Sequence, residues 1–217
     1  MKNITFWFDV ISPYAYLAFE RLPQALEGLS VSTSFQPVLF AGLLGQWGQK
    51  GPAEIEPKRS WTFRHVAWLA HRHGVTLQTP AQHPFNPLAL LRLATACAPA
   101  GGTPSRPVCE RVFRHVWHGG GEPNDATRLA ALTRNLAPLR DPQAGEVKRA
   151  LRDATDSAIA KGIFGVPTLE VDGRLFWGVD SIEMLVAYLH GDPWFDGPGW
   201  QAPRTSIAGV VRRGGPG

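Results

Sequence analysis

Ile4-Thr5-Phe6-Trp7-Phe8-Asp9-Val10-Ile11-Ser12-Pro13-Tyr14 decides the fold. Ile4 to Phe8 is apolar and rich in β-forming residues, which suits a buried strand. Ser12 followed by Pro13 signals a helix start, with Ser as N-cap and Pro at the first helical position. The helix is expected to run from about Pro13 to Leu26, with Gly28 stopping it. Ser32 to Leu39 alternates and reads as a second strand. Pro37 places it at an edge or near a strand end. Strand, helix, strand opens a βαβ unit.

Downstream the period changes. Residues 42–57 carry Gly42, Gly45, Gly48, Gly51, Pro52 and Pro57 and read as a loop. Helices are expected over 58–73, 87–97, 108–118, 124–136 and 145–161. Pro167 to Val171 and Arg174 to Trp177 then read as strands around the tight turn Asp172-Gly173. A terminal helix follows over 180–189, where Asp180-Ser181-Ile182-Glu183 has capping-box spacing. The order is β-α-β, a run of helices, then β-β-α. This α/β arrangement is a thioredoxin-like fold interrupted by an all-α insertion domain. Residues 1–41 and 162–190 form the thioredoxin-like domain, 42–161 the helical insertion and 191–217 a C-terminal tail without regular period.

Composition narrows the function. The chain has 217 residues, 44% hydrophobic and 18% charged, with a formal charge of +4, which suits a globular protein. Most of its basic residues are scattered arginines, without the stripe or module that nucleic-acid binding requires. No apolar stretch approaches the ~20 residues needed to span a bilayer, and no secretory signal opens the chain. Cys97 and Cys109 form neither a CxxC pair nor a zinc spacing. A cytoplasmic protein with free thiols is expected. His71 with His73, or His115 with His118, lack a third metal ligand at a suitable spacing, so no metal is expected.

Two segments carry the chemistry. In a thioredoxin-type site the reactive sulfur sits just after the first strand, at a helix N-terminus whose free N–H groups and dipole favour a thiolate. Here that position is Ser12, and the residue three later is Ala15. Disulfide exchange by a local dithiol is thereby excluded. A serine hydroxyl can instead donate a hydrogen bond to a borrowed thiol; Ser12 is equally readable as an N-cap alone. The second segment is Gly162-Ile163-Phe164-Gly165-Val166-Pro167-Thr168. A Pro that opens a strand after a Gly is often cis. The backbone of Val166 would then face the helix N-terminus, where an extended peptide can pair with it. An ordinary strand-start proline is the alternative.

Ser12-Pro13-Tyr14, the Gly162–Thr168 segment and Phe176-Trp177-Gly178-Val179-Asp180-Ser181 resemble the 2-hydroxychromene-2-carboxylate isomerase family and its kappa-class glutathione transferase relatives. The resemblance runs from Phe6 to about Leu189. It implies glutathione as cofactor, a small aromatic acid as substrate and a homodimer. It implies that Ser12 stabilises the glutathione thiolate and that Val166, beside Pro167, pairs with the cysteinyl unit. Val179, Asp180 and Ser181 match the segment holding the γ-glutamyl end, and Lys58 matches a lysine on glutathione. Asn86 matches an asparagine near the second substrate. Asp180 and Asn86 also read as helix caps. Tyr14, Trp7 and Trp61 are candidates to cover a flat aromatic acid. The chain departs from the family at Ser181, where an arginine is common, at Gly45, where isomerases carry a lysine, and at Gln49, where they carry an asparagine. The resemblance implies a glutathione-dependent isomerase, with a transferase or a non-catalytic glutathione- or peptide-binding module as alternatives.

Overall fold

A computed structural model describes residues 1–201. The expectation for the tail beyond 201 lies outside the described residues. β1 (Lys2–Phe8) is central, and its second half, Phe6-Trp7-Phe8, is apolar and buried on both faces. β2 (Val31–Pro37) pairs with it in parallel, Phe6 opposite Phe35, and ends at Pro37, which cannot donate to a longer ladder. β3 (Thr168–Val171) pairs antiparallel on the other side, Phe6 opposite Leu169, and β4 (Arg174–Trp177) closes the order β2-β1-β3-β4. Asp172 and Gly173 adopt φ of 51° and 73°, the left-handed pair that a two-residue hairpin turn demands.

Alternation along β1 splits the core. Phe6 and Phe8 face α1 (Pro13–Ala25), and with Phe19, Phe35 and Phe113 they form an aromatic cluster whose ring centroids lie 5.0–6.4 Å apart. Trp7 faces the other way and packs with Val38, Leu43, Ala158 and Ile163. It is 5% exposed and its indole N–H donates to Glu170 at 2.9 Å. Trp7 is therefore a structural residue, and the expectation that it covers a substrate is corrected.

Between β2 and β3 the chain is helical. The expected loop over 42–57 is also corrected, since it contains most of α2 (Phe40–Gln46) and a 3-10 turn, Pro52–Glu54. Glycine-rich sequence here marks close packing as well as chain reversal. A Cβ at Gly42 would stand 3.0 Å from Thr155 on a later helix, whose hydroxyl accepts from Leu39 N at 3.0 Å. α3 (Glu56–His73) ends on Gly74 with φ 65°. Then come α4 (Leu88–Ala96), α5 (Arg106–Trp117), α6 (Ala126–Leu136) and α7 (Gly145–Ala160). α7 places Ala158 against the Trp7 face of the sheet.

After β4, Val179–Ser181 forms a 3-10 turn that runs into α8 (Ile182–Leu189). The expected capping box is absent. Ser181 N donates to Gly178 O at 3.3 Å and Ser181 Oγ donates to the same oxygen at 2.8 Å. The turn's own backbone thus does the work assigned to Asp180. Pro193–Asp196 and α9 (Pro198–Gln201) follow, with Phe195 and Trp200 packed near Phe176.

Candidate functional site

The site begins with a buried carboxyl. Asp9 follows β1 with no exposure, and its two oxygens accept from Ile11 N at 3.0 Å and Phe40 N at 2.9 Å. These bonds tie the turn before α1 to the first residue of α2. Burial pushes the Asp9 carboxyl up to about 7, against the pull of the backbone N–H groups. Ser12 N closes the turn on Asp9 O at 3.1 Å.

Ser12 caps the helix and keeps its own hydroxyl hydrogen as a donor. With φ −86° and ψ 115° it caps α1, its Oγ accepting from Ala15 N at 3.2 Å. The same hydroxyl donates to Val166 O at 3.3 Å, a long bond that another acceptor can compete for. The peptide between Val166 and Pro167 is cis. Pro13 has no N–H, Ala15 N bonds Ser12 Oγ and Tyr16 N bonds Ser12 O, so Tyr14 N is the first-turn donor left without a partner among the described residues.

Two cavities flank this point. The larger, about 770 Å³, is lined by Ser12, Tyr14, Gln49, Lys58, Asn86 and Val166 among others. The smaller, about 320 Å³, is lined by Tyr14, Val166, Pro167, Val179 and Asp180. Tyr14, Val166 and Trp177 border both. Ser181 lines neither, being turned onto Gly178. Gly45 lines neither, and Trp61 is 62% exposed outside them, against the expectation that it covers a substrate. Asn86 also caps, accepting from Leu88 N at 3.0 Å.

Several lining residues escaped the sequence reading. Lys50, beside Gln49, and Arg59, beside Lys58, add cations to the larger cavity. Arg21 and His65 enter the smaller one. The missed signal was helical spacing. Arg21 lies seven residues after Tyr14 on α1, and Lys58, Thr62 and His65 form an i, i+4, i+7 stripe on α3. His83 stands between Phe63 and Trp117 with Nε2 donating to Ile11 O at 2.9 Å, and burial pulls its imidazole down toward the neutral form.

Arg21 and Asp180 share the smaller cavity but form no ion pair with each other within 4.0 Å. One charge of each sign, held apart, suits a zwitterionic ligand end. Among the described residues no group of three His, Cys, Asp or Glu stands ready for a metal ion. No helix among them is long and apolar enough to cross a membrane.

The family of DSBA-like thioredoxin domains matches residues 3–190. A 2-hydroxychromene-2-carboxylate isomerase of Sphingobium xenophagum is 27% identical over 198 residues, 87% of this chain and 98% of that protein. Glutathione S-transferase kappa 1 of Rattus norvegicus is 25% identical over 211 residues, 89% of this chain and 92% of that protein. Among solved structures, a 2-hydroxychromene-2-carboxylate isomerase superposes with a TM-score of 0.76 at 20% identity, covering 94% of this chain and all of that one.

Proposed function

The chain belongs to the family of DSBA-like thioredoxin domains, and on that premise we propose that it is a glutathione-dependent isomerase acting on an aromatic conjugated carboxylate such as 2-hydroxychromene-2-carboxylate. The observation that carries this is the Ser12 hydroxyl, set at a helix N-terminus on the wall of the larger cavity and bonded to Val166, which borders both cavities. Glutathione, when bound, supplies a thiol that adds to a conjugated carbonyl compound, lets the weakened double bond rotate and leaves unchanged.

The donor set fits that tripeptide. In the smaller cavity Asp180 meets an ammonium and Arg21 a carboxylate, as a γ-glutamyl end presents them. Val179 and Ser181 hold the turn that carries Asp180. The Val166 backbone pairs with the cysteinyl unit, and Lys58 neutralises a carboxylate from the larger side. Ser12 Oγ turns its hydrogen from Val166 O to the sulfur and, with the Tyr14 N–H and the α1 dipole, favours the thiolate. In the larger cavity Lys50 and Arg59 draw in an acidic substrate, while Tyr14, Gln49 and Asn86 orient it beside Ser12.

Ser12→Ala removes one hydrogen bond to an anion, worth ~1.5–3 kcal/mol. Glutathione-dependent kcat/KM is expected to fall about 10- to 100-fold near neutral pH, with a smaller change in glutathione affinity. Full turnover in that variant would refute the assignment. A second reading, a transferase, has support in the similarity to the kappa-class enzyme. Stoichiometric loss of glutathione during turnover marks the transferase, and its conservation marks the isomerase.

A further inference from the structure

We propose that His65 is a positioning residue that sets which way the Tyr14 hydroxyl points, turning Tyr14 into a hydrogen-bond donor toward bound ligand when the imidazole is charged. Tyr14 stands in the first turn of α1, two residues after Ser12, and borders both cavities. Its hydroxyl oxygen lies 3.0 Å from His65 Nδ1. Burial pushes the phenol up from its ordinary value, so the hydroxyl keeps its single hydrogen throughout the working range.

The geometry makes this contact durable. His65 lies on α3 between Trp61 and Trp68, at i−4 and i+3. Its ring stacks on both, with centroids 6.1 Å away and interplanar angles of 15° and 14°. Such a sandwich fixes the imidazole plane and keeps Nδ1 aimed at Tyr14. The charged groups around the imidazole are few. Arg21 from α1 and Asp180 from the turn before α8 share its cavity. On its own helix Arg64 is adjacent, and Arg72 lies over Trp68 at 5.6 Å.

The consequence follows from counting hydrogens. A neutral imidazole populates two tautomers. When Nδ1 is bare it takes the Tyr14 hydrogen, and Tyr14 shows the cavities only lone pairs. A charged imidazole donates from both nitrogens, so Tyr14 must accept from it and send its own hydrogen elsewhere. Thr62 on α3 bonds the same hydroxyl and lines the larger cavity, so the hydrogen goes either to Thr62 or to a ligand in the cavity next to Ser12. There the hydroxyl can meet an electron-rich oxygen or sulfur. No bond is made or broken; protonation of His65 selects a rotamer of Tyr14.

The proposal rests on the glutathione assignment for the identity of the ligand, and its test separates the two. Histidine ring signals of the full chain are followed by NMR through a pH titration, in wild type and Tyr14→Phe. The His65 ring is expected to hold its proton less well in Tyr14→Phe, because a charge-assisted bond has gone. An unchanged His65 titration overturns the proposal. In parallel, glutathione-dependent kcat is profiled against pH. His65→Gln should lose the limb that depends on a charged imidazole, and His65→Phe should fall about 3- to 10-fold. In the Tyr14→Phe background His65→Gln should change nothing further. Additive losses would mean that His65 acts only structurally, and would also overturn the proposal. A wild type with no glutathione-dependent turnover sinks the functional assignment instead, and the NMR titration then decides the Tyr14–His65 pairing by itself.

Discussion

Asp9 organises the site without facing a cation. Its oxygens hold Ile11 N and Phe40 N, so one side chain fixes both the turn carrying Ser12 and the start of α2, which walls the larger cavity. An ionised carboxylate at zero exposure costs free energy, and desolvation outweighs the backbone donors, lifting the group to about 7. The sign follows from linkage. A folded value above the unfolded one makes neutral Asp9 favourable, fully so below the ordinary carboxylate range. That contribution is lost as pH rises through about 7. Asp9→Asn cannot ionise but offers one acceptor oxygen in place of two. The variant should be less stable than wild type at pH ~5 and recover relative to it by pH ~8, by on the order of a few kcal/mol. Urea denaturation at the two pH values measures it. A stability gap independent of pH would show that Asp9 does not titrate in this range.

At the scale of elements, glycines separate what sequence revealed from what it hid. β1, α1 and the β3–β4 hairpin were legible because local signals agreed with tertiary demands: an apolar strand, Ser-Pro at a helix start, Asp-Gly at a turn. α2 was not, because Gly42 and Gly45 signal a loop whereas Gly42 serves contact with Thr155. The start of α8 was misread because Ser181, just before it, bonds back to Gly178 O through both its N–H and its hydroxyl, which no sequence pattern announces. Of the site, the residues on the Ser12 and Val166 segments were readable from motif. Arg21 and His65 needed the helix faces to be brought together. Gly178 gives a test at this scale. It adopts φ 94°, and a Cβ there would run into the Asp180 carboxylate. Gly173 adopts φ 73° with open space around it. Both alanine variants should lose ~1 kcal/mol or somewhat more from backbone strain. Gly178→Ala alone should also weaken glutathione binding several-fold, since Asp180 must move. Calorimetry with glutathione compares them, and equal affinities would remove Asp180 from the ligand site.

The whole molecule keeps its own sulfur away from the place where sulfur chemistry is proposed. Cys109 lies fully buried in α5, and Cys97 caps α4 half-buried; neither lines the two cavities beside Ser12. Burial pushes both thiols upward, so neither forms a ready thiolate. Ser12 meanwhile sits at the seam where α1, the Val166 segment and α3 converge, with a helix dipole and a free first-turn donor but no thiol. On the proposed function, the thiol nucleophile comes from outside the chain. In the native protein neither cysteine should react quickly with a disulfide reagent such as DTNB, and both should react after denaturation. Cys97→Ala with Cys109→Ala should keep glutathione-dependent turnover within about 2-fold, while truncating the buried Cys109 costs ~1 kcal/mol of stability. Thiol–disulfide exchange without added glutathione should be absent from wild type and variant alike. Turnover lost with the cysteines, in a variant that still unfolds cooperatively, would place the reactive sulfur in the chain and overturn the role given to Ser12.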